Sequence, residues 1–285
     1  MSEFSGAVVF GILSLIVLYF ARKAGYFVFH KEEMKWVFPI RWYNVVTVFA
    51  IYFAAVVFFA PLISTVIRPI LTSAPTISVV TWLNFLTSFF ILTAVALYSA
   101  MLPREVSWKI WRRSDQASFL QDVGFAFLSF LIAFPLVIFL NEAIDVLISH
   151  FFHAPELPDQ LAVRFLKMTF VHPSLFFLSV VTIVAFAPML EEALFRGFLQ
   201  SFIRQHLGSK PAILITAICF SCFHYSPEQG LSNISIIGSL FALALFLGFV
   251  YEKRGSLVVS MALHASFNAI SILNLYFLGG FPKAL

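Results

Sequence analysis

Residues 168–190 read MTFVHPSLFFLSVVTIVAFAPML, 23 positions without one charged side chain. At about 1.5 Å per residue such a helix measures about 35 Å, more than the roughly 30 Å hydrocarbon core of a bilayer. The apolar pattern does not stop at the charges that follow. After Glu191, Glu192 and Arg196 it continues through Phe198, Leu199, Phe202 and Ile203. The spacing predicts one membrane helix over about 173–204, with Glu191 near its middle.

Outward from this stretch, seven more charge-free runs occupy 4–21, 42–67, 69–103, 123–141, 211–227, 229–251 and 255–282. Each is long enough for one crossing. The run at 69–103 opens with Pro69 and Pro75, so 69–76 reads as loop and about 77–102 as one helix. Composition agrees. Hydrophobic residues make up 61% of the chain and charged residues 11%, with 37 phenylalanines and a mean hydropathy of +0.95. Ordinary globular domains have roughly 45–50% and about 25%. A cytosolic enzyme, a disordered chain and a disulfide-stapled secreted module are excluded. The expected fold class is all-α, a polytopic membrane protein of about eight transmembrane helices.

A net charge of +4 and a pI near 9.1 would suit nucleic acid if the basic residues clustered. They lie instead in short loops, which is how topology is encoded, so no nucleic-acid partner is expected. Thirteen Lys and Arg fall in alternate loops: Arg22, Lys23, Lys31, Lys35, Arg41; Arg104, Lys109, Arg112, Arg113; Arg204, Lys210; Lys253, Arg254. The intervening loops and the tail hold four, Arg68, Arg164, Lys167 and Lys283. The positive-inside rule then puts both termini on the non-cytoplasmic side. Trp36, Trp42, Tyr43, Trp108 and Trp111 occupy interfacial anchor positions. The first run has Glu3 before it and Arg22 and Lys23 after it, the reverse of a signal peptide, and reads as an uncleaved span. Cys219 and Cys222 read as buried free thiols packing as small hydrophobes.

Charges within spans are expensive and usually functional. Glu192 and Arg196 are four apart and share a helix face, so they can pair, while Glu191 points about 100° away and is left for another partner. The bland alternative is a structural ion-pair cluster at a helix end. Phe220 and His224 are also four apart, at the end of the sixth run, where an interfacial histidine is the alternative. His264 and Asn268 repeat the spacing in the last run, His264 roughly 15 Å along the axis from Arg254. Alone they would read as hydrogen-bonding glue between helices. The conjunction of all three on separate helices favours a site. Glu142 and Asp145 read as interfacial. A carboxylate with a histidine can activate water, and a histidine beside an amide can stabilise an oxyanion. Together these suffice for hydrolysis of a carbonyl bond without a covalent intermediate. A zinc site of Glu191, His224 and His264 remains an alternative by ligand type.

Glu191-Glu192-x-x-x-Arg196, Phe220-x-x-x-His224 and His264-x-x-x-Asn268, in that order, resemble the CAAX prenyl endopeptidases, also called CAAX proteases and bacteriocin-processing proteins. The resemblance covers about 173–275, with Tyr251–Leu257 in the family's style. It implies an intramembrane endopeptidase of glutamic type, with Glu191 as general base, His224 positioning the water, His264 and Asn268 stabilising the oxyanion, and Glu192 with Arg196 shaping the site. Some members remove the C-terminal tripeptide of prenylated proteins; others are linked to bacteriocin immunity. A non-catalytic immunity or scaffold protein and a zinc metalloprotease remain the alternatives. A more polar stretch at 150–172 divides the chain into accessory helices, 1–160, and a catalytic bundle, 161–285, whose site opens toward the cytoplasm. No cofactor and no metal are expected. The expected partners are the lipid bilayer and a protein or peptide substrate, lipidated or not; the oligomeric state is not legible.

Overall fold

The computed structural model describes residues 3–29, 40–70, 75–111, 118–153 and 157–277. Trp36, Lys31, Lys35, Arg112, Arg113 and Lys283 lie outside the described residues. Among the described residues ten helices longer than one turn follow in order: α1 (Glu3–Lys23), α2 (Trp42–Ile70), α3 (Thr76–Met101), α4 (Arg104–Trp111), α5 (Phe119–Phe152), α6 (Leu161–Thr169), α7 (Pro173–Leu207), α8 (Ser209–Phe223), α9 (Ser232–Arg254) and α10 (Leu257–Phe277). The described residues contain no β-strand.

Seven of these helices, α1, α2, α3, α5, α7, α9 and α10, are long and apolar enough to cross a bilayer. The protein is therefore a polytopic all-α membrane protein. The eighth apolar run forms the shorter helix α8, whose 15 residues span only about 22 Å. It stops because the backbone turns at His224, whose N–H reaches back three residues to the Ser221 carbonyl. That stop places His224 at a helix end beside α7. The prolines behave differently from the loop expected at 69–76. Pro69 sits inside the last turn of α2, and Pro75 caps α3. The short helices α4 and α6 form where loops were expected.

In lipid, helices are held by close packing and internal polar contacts more than by the hydrophobic effect. One buried cluster joins α2, α3 and α4 to α7, α8 and α9 through Val48, Val95, Ile110, Phe195, Phe198, Phe220 and Tyr251. A second joins α1 and α5 to α9 and α10 through Ala21, Phe130, Ala133, Leu247, Leu263 and Phe267. The basic ends are tied as well. Arg254 pairs with the buried Asp122 of α5 at 3.0 Å, and Lys253 donates to the Val28 carbonyl at 3.0 Å. Helices α9 and α10 meet at Gly255, whose φ of 62° lies in the left-handed region that a side chain would strain. That tight joint sets where α10, and with it His264, begins.

Trp42, Tyr43 and Trp108 are exposed, in keeping with anchor positions. Trp111 turns inward, donating its indole N–H to Ser99 at 2.7 Å. Cys219 and Cys222 are exposed on α8, which corrects their expected burial. Both lie on an exposed face of this apolar helix. Glu142 and Asp145 lie half-buried on α5, with Asn141 donating to Asp145 at 3.0 Å.

Candidate active site

Helix α7 is not uniform. It carries two π-helical stretches, Thr182–Phe186 and Ala193–Gln200, on either side of the two glutamates. Wide turns of this kind are rare and concentrate at functional sites. The first has a local cause. Pro188 has no N–H, and its ring would clash with the carbonyl four residues back in an α-helix. Ala187 already donates five residues back, to the Thr182 carbonyl. In that register Pro188 leaves the Ile183 carbonyl without a backbone donor. Asn268 Nδ2, from α10, donates to it at 2.8 Å. Asn268 thus ties α10 to α7. Asn268→Leu should cost about 1–3 kcal/mol, the usual penalty for stranding a buried polar group, read as a lower unfolding midpoint of the purified protein.

The two glutamates separate as their helical angle predicts. The Glu192 side chain is fully buried, and its Oε1 accepts from Arg196 Nη1 at 2.9 Å and from His264 Nδ1 at 3.0 Å. Arg196, also fully buried, donates through Nη2 to the Ala244 carbonyl of α9 at 3.2 Å and lies 4.5 Å over the Phe220 ring. Phe220 also packs against both histidine rings, at 4.8 Å from His224 and 5.8 Å from His264. It is the apolar spacer that holds the cation and the two imidazoles apart.

Glu191 is partly exposed, although its Oε2 is buried. Its side chain is 19% exposed and that of His224 28%, against 6% for His264. Glu191 Oε2 lies 3.7 Å from His224 Nε2 and 3.9 Å from His264 Nε2. Both separations exceed a direct hydrogen bond. Among the described residues Oε2 has no hydrogen-bond partner. The far side of each ring is engaged. His224 Nδ1 contacts the Phe220 carbonyl at 2.8 Å; a carbonyl only accepts, so Nδ1 carries the hydrogen. Glu192 plays the same part for His264 Nδ1. In the neutral rings both Nε2 atoms are then acceptors facing Glu191. Six of the seven residues singled out from sequence, Glu191, Glu192, Arg196, Phe220, His224 and His264, are linked by these contacts on α7, α8 and α10; Asn268 meets α7 at Ile183, eight residues before Glu191. Among the described residues no group of three His, Cys, Asp or Glu is disposed to hold a metal ion.

Sequence reasoning passed over three contributors. The Ala244 carbonyl is a backbone group with no sequence signal. Asn233 staples the loop after His224: Ser226 N–H donates to its Oδ1 at 3.0 Å, and its Nδ2 donates to the Ser226 and Gly230 carbonyls at 2.7 and 3.0 Å. Glu252, quoted within Tyr251–Leu257 but given no role, is buried.

The ordered site residues fall inside a segment with known relatives. Residues 173–270 match the Rce1-like family of type II CAAX prenyl endopeptidases. The resemblance carried by the three motifs is borne out over this Rce1-like segment, about a third of the chain. The segment runs from the first residue of α7 to about two turns before the end of α10, and so includes every residue of the site. Comparison with curated proteins and with solved structures gave no match.

Proposed function

We propose that the protein is an intramembrane endopeptidase that hydrolyses a peptide bond with Glu191-activated water, on a protein or peptide substrate drawn from the bilayer. The observation that carries this is the convergence of Glu191 Oε2 with two imidazole Nε2 atoms at 3.7 and 3.9 Å. A water between three acceptors gives its two hydrogens to two of them and turns a lone pair outward. Glu191 takes one proton as that oxygen bonds to the scissile carbonyl carbon. His224 orients the water. The carbonyl oxygen becomes an oxyanion; in this reading its donors are the second Nδ2 hydrogen of Asn268 and His264, whose Nε2 takes a proton from solvent as the water is activated and returns it when the oxyanion collapses. Collapse breaks the C–N bond, and the Glu191 proton passes to the leaving amine. Glu192 and Arg196 take no part in proton transfer; they fix the His264 ring.

Residues 161–285 supply the reacting groups and residues 1–160 serve as accessory helices. In the same reading, the ends of α7 and α9 that carry Arg204, Lys253 and Arg254 face the cytoplasm and the site opens toward it, with both termini outside. A substrate of the CAAX type, a prenylated C-terminus losing its last three residues, fits the family of the Rce1-like segment.

The test is a quantitative comparison of protein termini in native host membranes holding wild type or Glu191→Ala at matched expression. Termini that require Glu191 are expected, and their lipidation identifies the substrate class. No Glu191-dependent terminus would move the protein to the non-catalytic immunity or scaffold class. Activity is expected to survive dialysis against a strong chelator; its loss, restored by zinc, would establish the metalloprotease alternative.

A further inference from the structure

The polar contacts between α7 and α9 continue beyond the site. Along α7, Glu192, Arg196, Gln200 and Arg204 follow at intervals of four. Along α9, Ala244, Gly248 and Glu252 follow at the same interval. The rungs match. Arg196 donates to the Ala244 carbonyl at 3.2 Å. Gln200 Nε2 donates to the Gly248 carbonyl and to Glu252 Oε1, each at 3.0 Å. Arg204 pairs with Glu252 Oε2 at 2.8 Å, and Ser209 donates to the same oxygen at 3.2 Å. Gln200 is fully buried, and Arg204 and Glu252 nearly so. The helices come close enough because Gly248 has no side chain: a Cβ there would lie 2.8 Å from Gln200 Oε1 and 3.2 Å from Ile213.

In an α-helix, positions four apart drift about 40° per step, so three steps would carry Arg204 about 120° away from Glu192. A π-helical stretch turns less per residue and cancels that drift. The stretch Ala193–Gln200 therefore keeps Arg196, Gln200 and Arg204 on the line that faces α9, in step with Glu192. The dependence runs both ways, because a π stretch is uncommon and needs contacts that favour it.

We infer that Gln200, with Arg204 and Glu252, is a positioning residue: its bonds to α9 hold the π-helical stretch of α7, and the stretch sets the angle at which Glu191 and Glu192 meet the two histidines. The ladder reaches the reacting groups only through Glu192 and Arg196. This rests on the proposed peptidase for its consequence in rate, and on geometry alone for its consequence at His264.

The test uses the full-length chain in detergent and Gln200→Met, which keeps the volume and adds no charge. Diethyl pyrocarbonate modifies accessible imidazole nitrogens, and mass spectrometry separates His264 from His224. Release of the ladder is expected to raise the His264 rate several-fold, because Glu192 no longer holds its ring, while the unfolding midpoint shows the chain still folded. Glu252→Gln, which preserves an acceptor for Gln200, is expected to raise it less. The rate of formation of Glu191-dependent termini should fall by about 100-fold, the scale of an ångström-sized misplacement of catalytic groups. An unchanged His264 rate in a folded Gln200→Met protein would overturn the positioning role. If wild type yields no Glu191-dependent termini, the peptidase reading fails, and the His264 rate still decides the ladder.

Discussion

Glu191→Gln is expected to lower the rate of peptide cleavage by between about 10² and 10⁴-fold while leaving the protein folded and inserted. Glutamine matches the size of glutamate and keeps an acceptor oxygen, but it takes no proton from water. Glu191 is also the carboxylate whose loss the fold should tolerate. Its Oε2 has no hydrogen-bond partner among the described residues, and no cation is paired with it at short range. A fall in rate with an unchanged unfolding midpoint therefore separates chemistry from structure. A rate within twofold of wild type would remove Glu191 as the base. His224→Gln tests the other side of the water: its ring is fixed by the Phe220 carbonyl, so its loss should lower the rate without unfolding α8.

Arg196→Met should have the largest effect on stability, about 3–5 kcal/mol, because it leaves Glu192 charged in a fully buried setting with only His264 as partner. The contact with the Phe220 ring and the bond to the Ala244 carbonyl are lost with it. Reversible unfolding in mixed detergent, or the yield of folded protein extracted from membranes, measures the loss. Glu192→Leu in the Arg196→Met background should recover much of it, since a buried pair replaced as a unit costs far less than one broken in half. That double variant should stay inactive, because nothing then holds the His264 Nδ1 hydrogen. Wild-type stability in Arg196→Met would show that the pair contributes nothing to holding α7.

The membrane fold and the helix that carries Glu191 were legible because hydropathy and charge act locally: each span reads from its own residues. The pairing of Glu192 with Arg196 was legible for the same reason, since four residues on one helix are neighbours in any fold. The length of α8 was not. Its apolar run continues to residue 227, but the helix ends at Phe223, and Asn233, nine residues past His224, holds the turn from the far side. Asn268 shows the same limit. Its spacing from His264 marked it as a site residue, yet its amide meets a carbonyl that only the proline in α7 leaves open.

Glu252 marks the boundary between the two kinds of information. In sequence it stands between Tyr251 and Lys253 as one more charge near the end of a span; in the fold it is buried and closes the ladder below Gln200. By itself the sequence determined that this chain crosses the membrane, which helices bear ionisable groups, and which of those groups share a face. The tertiary structure alone decided that Glu192 also accepts from His264, that both histidines turn Nε2 toward Glu191, and that α9 supplies the carbonyls that hold α7. The reason is physical. Periodicity sets direction around one helix axis, whereas distance between helices depends on joints such as Gly255, close approaches such as Gly248 and π turns, none of which has a local signature strong enough to read.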